Sequence, residues 1–101
     1  MHEHPLPPSG DGSVVLDIGG EVGALVVHTP PELDGHEIDL FPAGSHEPCM
    51  HSAVRRREVL GGNRYAAVYP SVIAGEYTLE GSSQTVQVLG GSVTELHYLA
   101  G

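Results

Sequence analysis

From residue 13 onward the apolar residues come in short runs, and several runs alternate strictly with polar ones. In "EIDLF" (37–41), Ile38 and Leu40 fall on one side of an extended chain and Glu37 and Asp39 on the other. In "EYTLE" (76–80), Tyr77 and Leu79 oppose Glu76, Thr78 and Glu80; in "QTVQVL" (84–89), Val86 and Val88 oppose Gln87. A repeat of two is the signature of strands with one face buried and one wet. The pattern predicts strands at 13–18, 23–29, 37–41, 51–59, 64–69, 76–80, 84–89 and 93–98. No window keeps a helical period, because Gly or Pro recurs too often. "SAVRRREVL" has helical propensity, but its place in a strand series argues for a strand.

The breaks between runs carry turn chemistry. "GGN" (61–63), "EGSSQ" (80–84) and "LGGS" (89–92) hold residues that tolerate positive φ, as hairpins require. "TPPELDGH" (29–36) is a longer connection whose two prolines cannot join a central ladder. Residues 1–12 hold three prolines and no periodicity, which reads as a flexible N-terminal arm. Residues 13–101 then form one domain, an antiparallel β-sandwich of seven to eight strands.

The order of elements in the second half resembles the prealbumin-like (transthyretin-like) sandwiches, namely the carboxypeptidase regulatory-like and collagen-adhesin B-type domains. In those domains an aromatic-rich strand leads to a "leu-pro-x-gly-x-tyr" element, and a final hairpin carries "val-x-val-x-x-gly-x-x-thr". Val72, Gly75 and Tyr77 match the first element, with Ile73 where proline is usual. Val86, Val88, Gly91 and Thr94 match the second. "GALVVHTPPELDGHEIDLFP" resembles the opening strand, turn and second strand, so the likeness covers about residues 22–99. It implies a prealbumin-like topology and a non-catalytic role as a spacer, stability or interaction module. Two features of the group are missing. The adhesin-type isopeptide bond needs a lysine, and the chain has none. The related hydrolases end in "tyr-arg-gly-ser", whereas this chain ends "HYLAG".

Composition narrows the function further. Of 101 residues, thirteen are Asp or Glu and four are Arg, for a net charge of −9 with histidines neutral. Nucleic acid and anionic membranes demand cations that this chain lacks, so neither is an expected partner. The core must be aliphatic and Val-rich, given one Phe and no Trp. Cys49 is the sole cysteine, so no internal disulfide forms. The N-terminus has no apolar signal segment, and a reduced, cytoplasmic location is expected.

Two clusters carry candidate chemistry. His46, Cys49 and His51 in "SHEPCMH" are ligand types for zinc or copper, and an extended chain from 49 puts Cys49 and His51 on one face. The same cysteine beside a histidine is a conceivable thiolate pair for a small hydrolase. The alternative is a small packed cysteine with two solvated histidines. Arg55 and Arg57 share a strand face with His51 and Ala53, where their forked guanidinium groups can grip a carboxylate or phosphate. The alternative is cross-strand pairing with the chain's own acids. Arg56 falls on the opposite face with Val54, where a charge fits only at a strand end or a sheet edge. No nucleophilic elbow, phosphate loop or metalloprotease helix is present. The expectation is a non-enzymatic module without cofactor, binding a protein partner or itself as a dimer. A metal-binding protein centred on residues 46–51 is the alternative, and a transthyretin-related hydrolase the second alternative.

Overall fold

The computed structural model describes residues 18–60 and 62–101 together with Leu16. The arm expected over 1–12 lies outside the described residues, as does the strand expected over 13–18 apart from Leu16 and Ile18. The described chain forms β1 (Val22–Thr29), a single 3₁₀ turn (Pro31–Leu33), β2 (Glu37–Pro42), β3 (Met50–Ala53), β4 (Arg55–Val59), β5 (Gly62–Ile73), β6 (Gly75–Leu79), β7 (Thr85–Val88) and β8 (Val93–His97). These build two four-stranded sheets, with strand orders β4-β5-β1-β8 and β3-β2-β6-β7. The first is called the β5 sheet below and the second the β2 sheet. Leu25, Val27, Ala67, Tyr69 and Val72 from the β5 sheet meet Ile38, Leu40, Tyr77, Leu79, Val86 and Val88 from the β2 sheet in one core. The alternation seen in the sequence is the alternation of this packing.

The strand expected over 51–59 is two strands. Its first half pairs with β2 and its second half with β5, so the chain crosses from one sheet to the other at Val54. Val54 is fully buried. Its N–H donates to His36 O and its carbonyl accepts from Gly35 N–H, both at 2.8 Å, so the crossing is bonded to the turn that precedes β2. Two residues earlier, Ser52 faces β5. Its hydroxyl donates to Val68 O at 2.7 Å and accepts from Val68 N–H at 3.1 Å. β4 has already ended at Arg55 opposite Ala66, so Ser52 satisfies backbone groups of β5 that no strand reaches. Pro70 falls where the β1–β5 register shifts between Leu25 and Gly23, leaving Pro70 and Ser71 unpaired, so its missing N–H costs no bond in that ladder. This is why β5 runs on to Ile73 instead of stopping at 69.

The closing segment also differs from the expectation. β7 lies in the β2 sheet and β8 in the β5 sheet, so "LGGS" carries the chain between sheets and turns no hairpin. β8 pairs parallel with β1, with His28 opposite His97 and Val26 opposite Glu95. The sheets are therefore mainly antiparallel with one parallel pair. Gly23 makes this crossing fit, since a Cβ there would collide with the Leu89 carbonyl. β4 and β5 are joined as a hairpin as expected, with Gly62 and Asn63 already paired in β5, and 80–84 joins β6 to β7 as a second hairpin.

Tyr69 ties the two sheets through the core. Its phenol donates to Ile38 O at 2.7 Å, from β5 to β2. Burial pushes its pKa well above the ordinary value, and the negative charges of Asp39 and Glu80 push it further in the same direction. The neutral phenol is thus favoured in the folded state. In the unfolded chain the phenol ionises near pH ~10. The raised folded pKa therefore contributes stability that is fully present below pH ~10 and lost as pH climbs above it. Tyr69→Phe is expected to cost about 1–3 kcal/mol at neutral pH, because Ile38 O loses its partner in the core. Denaturant titrations should show the wild type weakening above pH ~10 and the variant declining less steeply over the same range.

Candidate functional site

The crossing at Val54 sends the two sequence clusters to opposite sides of the sandwich. β3 keeps His51 and Ala53 on the outer face of the β2 sheet, opposite Asp39 and Glu37. Arg55 and Arg57 lie on the outer face of the β5 sheet instead. The expectation that they share a face with His51 and Ala53 is therefore corrected. Unbroken alternation was assumed through a residue where the strand changes sheets. Arg56 is exposed beside the core side of edge strand β4, opposite Tyr65, which explains its odd parity.

The β5 sheet then adds residues that the sequence reading did not include. The hairpin register sets Arg57 opposite Arg64 and Arg55 opposite Ala66. Ala66 is in turn opposite His28 on β1, and His28 is opposite His97 on β8. One row across four strands thus reads Arg55, Ala66, His28, His97. Arg57 and Arg64 form the next row. Three of the chain's four arginines stand together over a floor of small or β-branched residues that includes Ala66, Val68 and Val26. Glu95 is the acid of this face, and it is already engaged: His28 Nε2–H donates to Glu95 Oε1 at 2.7 Å. The His28 and His97 rings lie 5.2 Å apart at 31°. A cleft of about 640 Å³ opens here, lined by His28, Asn63, Arg64, Tyr65, Glu95 and His97 among others.

The electrostatics of the arginines do not match the pairing alternative. Among the described residues, the His28–Glu95 contact is the sole side-chain ion pair within 4.0 Å, and no arginine takes part in one. Arg57 is half-buried. Its Nη2 donates to Ala66 O at 3.3 Å, while its Nε–H is shielded from water and has no partner among the described residues. Desolvation pulls the Arg57 pKa down, and the adjacent Arg55 charge pulls it down further. The group remains a cation, since an arginine pKa starts far above neutrality, but it is a cation at a cost that an incoming anion would offset.

The His46, Cys49 and His51 cluster is spread along an outer edge. Cys49 and His51 line one shallow cleft of about 330 Å³ with Pro48 and Met50. His46 lines a different cleft with Phe41, Thr78 and Glu80. Among the described residues no group of three or more His, Cys, Asp or Glu side chains is placed to hold a metal ion. The Cys49 backbone N–H donates to Leu40 O at 2.8 Å, which starts the β2–β3 pairing. Burial pushes the Cys49 thiol up, and a backbone hydrogen bond only partly counters it. That direction is opposite to the one a nucleophilic thiolate needs.

No protein-family model, no curated protein and no solved structure matches this chain. Among the described residues no helix is long and apolar enough to cross a membrane. The raised Cys49 pKa gives a direct expectation. At mildly alkaline pH, Cys49 should react with a thiol-specific disulfide reagent no faster than free cysteine, and more slowly than a thiolate beside a cation. Stopped-flow absorbance of the released chromophore measures the rate.

Proposed function

We propose that this chain is a non-enzymatic interaction module of prealbumin-like type. Its working surface is the outer face of the β5 sheet, and Arg55 and Arg57 are its principal anchors. The observation that carries this reading is the strip of Arg55, Arg57 and Arg64, held on adjacent strands with no carboxylate within 4.0 Å among the described residues. A chain with thirteen acids and four cations has ample means to neutralise its arginines internally. Here the cations are gathered, and Arg57 carries an unpartnered Nε–H beside the repelling charge of Arg55. A carboxylate arriving from a partner relieves both costs at once. Forked guanidinium groups suit carboxylates well, and the partial desolvation of Arg57 makes its bond stronger than an exposed pair.

The prealbumin-like assignment rests on the order of the sequence elements, from the aromatic-rich strand through Gly75 and Tyr77 to the run from Val86 to Thr94. A module of that type acts by contact, and the partner favoured by this strip is an acidic protein segment. The reading is tested with a fluorescent glutamate-rich peptide and fluorescence anisotropy. Wild-type protein should bind the peptide. Arg55→Glu with Arg57→Glu should weaken binding at least tenfold, a loss of about 1.4 kcal/mol or more, while Glu47→Gln, exposed in the connection before β3, leaves it unchanged. Equal binding by wild type and the double variant contradicts the proposal.

A further inference from the structure

The two broad faces of the sandwich carry opposite charge. All four arginines lie on β4 and β5, and the chain has no lysine, so the β2 sheet holds neither residue type. The register of the β2 sheet puts Glu37 and Asp39 toward one end of its outer face and Glu76 with Gln87 toward the other, with Phe41 and Thr78 between them. Glu80, just past β6, adds a fourth acid: its Oε1 accepts from Asp39 N–H at 3.1 Å. His51, Ala53, Phe41 and the polar Thr78, Thr85 and Gln87 share that face. Four carboxylates on one side therefore oppose three guanidinium groups on the other, through a body whose shortest extent is 21 Å.

We infer that the partner of the arginine strip is a second copy of this chain, docked head to tail. The acidic outer face of the β2 sheet of one molecule lies on the basic outer face of the β5 sheet of the next. This inference rests on the reading of Arg55 and Arg57 as carboxylate-binding groups and names their partner. Charge complementarity selects the arrangement. Pairing either face with its own twin sets Arg55, Arg57 and Arg64 against one another, or Glu37, Asp39 and Glu76 against one another, and juxtaposed like charges are costly. Only the mixed pairing brings opposite signs together. The faces are large enough. The molecule extends 37 by 35 Å across its broad dimensions, compared with the roughly 800 Å² per partner of a standard interface. The net charge of −9 opposes approach at long range, but at physiological salt that repulsion is screened beyond about 8 Å. Contact pairs survive the screening better than distant ones. An interface between unlike faces does not close on itself in a dimer, so each added copy presents the same two free faces. The expected species is a concentration-dependent series or a ring, and a self-limited dimer is excluded.

Face-directed variants test this by complementation. Arg55→Glu with Arg64→Glu reverses two of the three cations of the basic face and leaves the acidic face intact. Glu37→Lys with Glu76→Lys does the reverse. All four positions are exposed, and none has a side-chain hydrogen bond among the described residues. Thermal melts check each fold, and glutamine replacements substitute for any reversal that lowers the melt. In sedimentation velocity at physiological salt, wild type should grow in mass with concentration beyond twice the 10.6 kDa monomer. Each variant alone should stay monomeric. Their equimolar mixture should associate again, because the intact acidic face of one variant meets the intact basic face of the other. A monomeric wild type with a monomeric mixture overturns the inference, as does a dimer formed by either variant alone. If the mixture fails while the glutamate-rich peptide still binds, only the identity of the partner is wrong. If the peptide also fails, the arginine strip is not a carboxylate-binding surface.

Discussion

One crossing holds the structure together. At Val54 the chain leaves the β2 sheet and enters the β5 sheet, with its side chain fully buried between them. The cost of a crossing is backbone that neither sheet can satisfy. It is met locally: His36 and Gly35 bond the Val54 amide and carbonyl, and the Ser52 hydroxyl serves both groups of Val68. β5 can then run twelve residues as a central strand although its neighbour β4 covers only part of it. Tyr69, one residue beyond the Ser52 contact, reaches across the core to Ile38 and makes the second tie between sheets.

The same crossing decides the chemistry of the surface. Without it, Arg55, Arg57, His51 and Ala53 would share one face, and the arginines would stand next to Asp39 and Glu37 on β2. With it, the arginines are carried to the other side of the body and added to Arg64, His28 and His97. The acids stay behind on the β2 sheet. An acidic chain thus acquires one basic face, and its cations lie beyond reach of most of its own carboxylates. Arg57, half-buried beside Arg55 with one orphan N–H, is where that separation is most costly in free energy.

Much of the fold was legible in the sequence, because alternation is a local signal. Ile38 and Leu40, Tyr77 and Leu79, and Val86 and Val88 are all buried as their spacing implies. The crossing was not read, yet its trace was present. Met50, Ser52 and Val54 keep one parity, and Arg56 then breaks it by placing a cation at an inward position. A polar Ser52 and a charged Arg56 flanking a buried valine mark a strand that changes its partner. Arg64 was also within reach. With two residues between Val59 and Gly62, the hairpin sets it opposite Arg57. His28 and His97 were not, since only the long-range parallel pairing of β1 with β8 brings them together. The same limit hid the fate of "LGGS", whose glycines serve a sheet-to-sheet connection as well as they would a hairpin.

The central claim is that the β5 sheet presents a carboxylate-binding face and the β2 sheet does not. Backbone and side-chain NMR shifts, followed as a glutamate-rich peptide is added, test it at residue resolution. In protein dilute enough to be monomeric, shifts should move together for Arg55, Arg57, Arg64, His28 and His97, with Glu37, Asp39, His51 and Glu76 unmoved. Perturbations centred on the β2 sheet, or scattered over both faces alike, would contradict it.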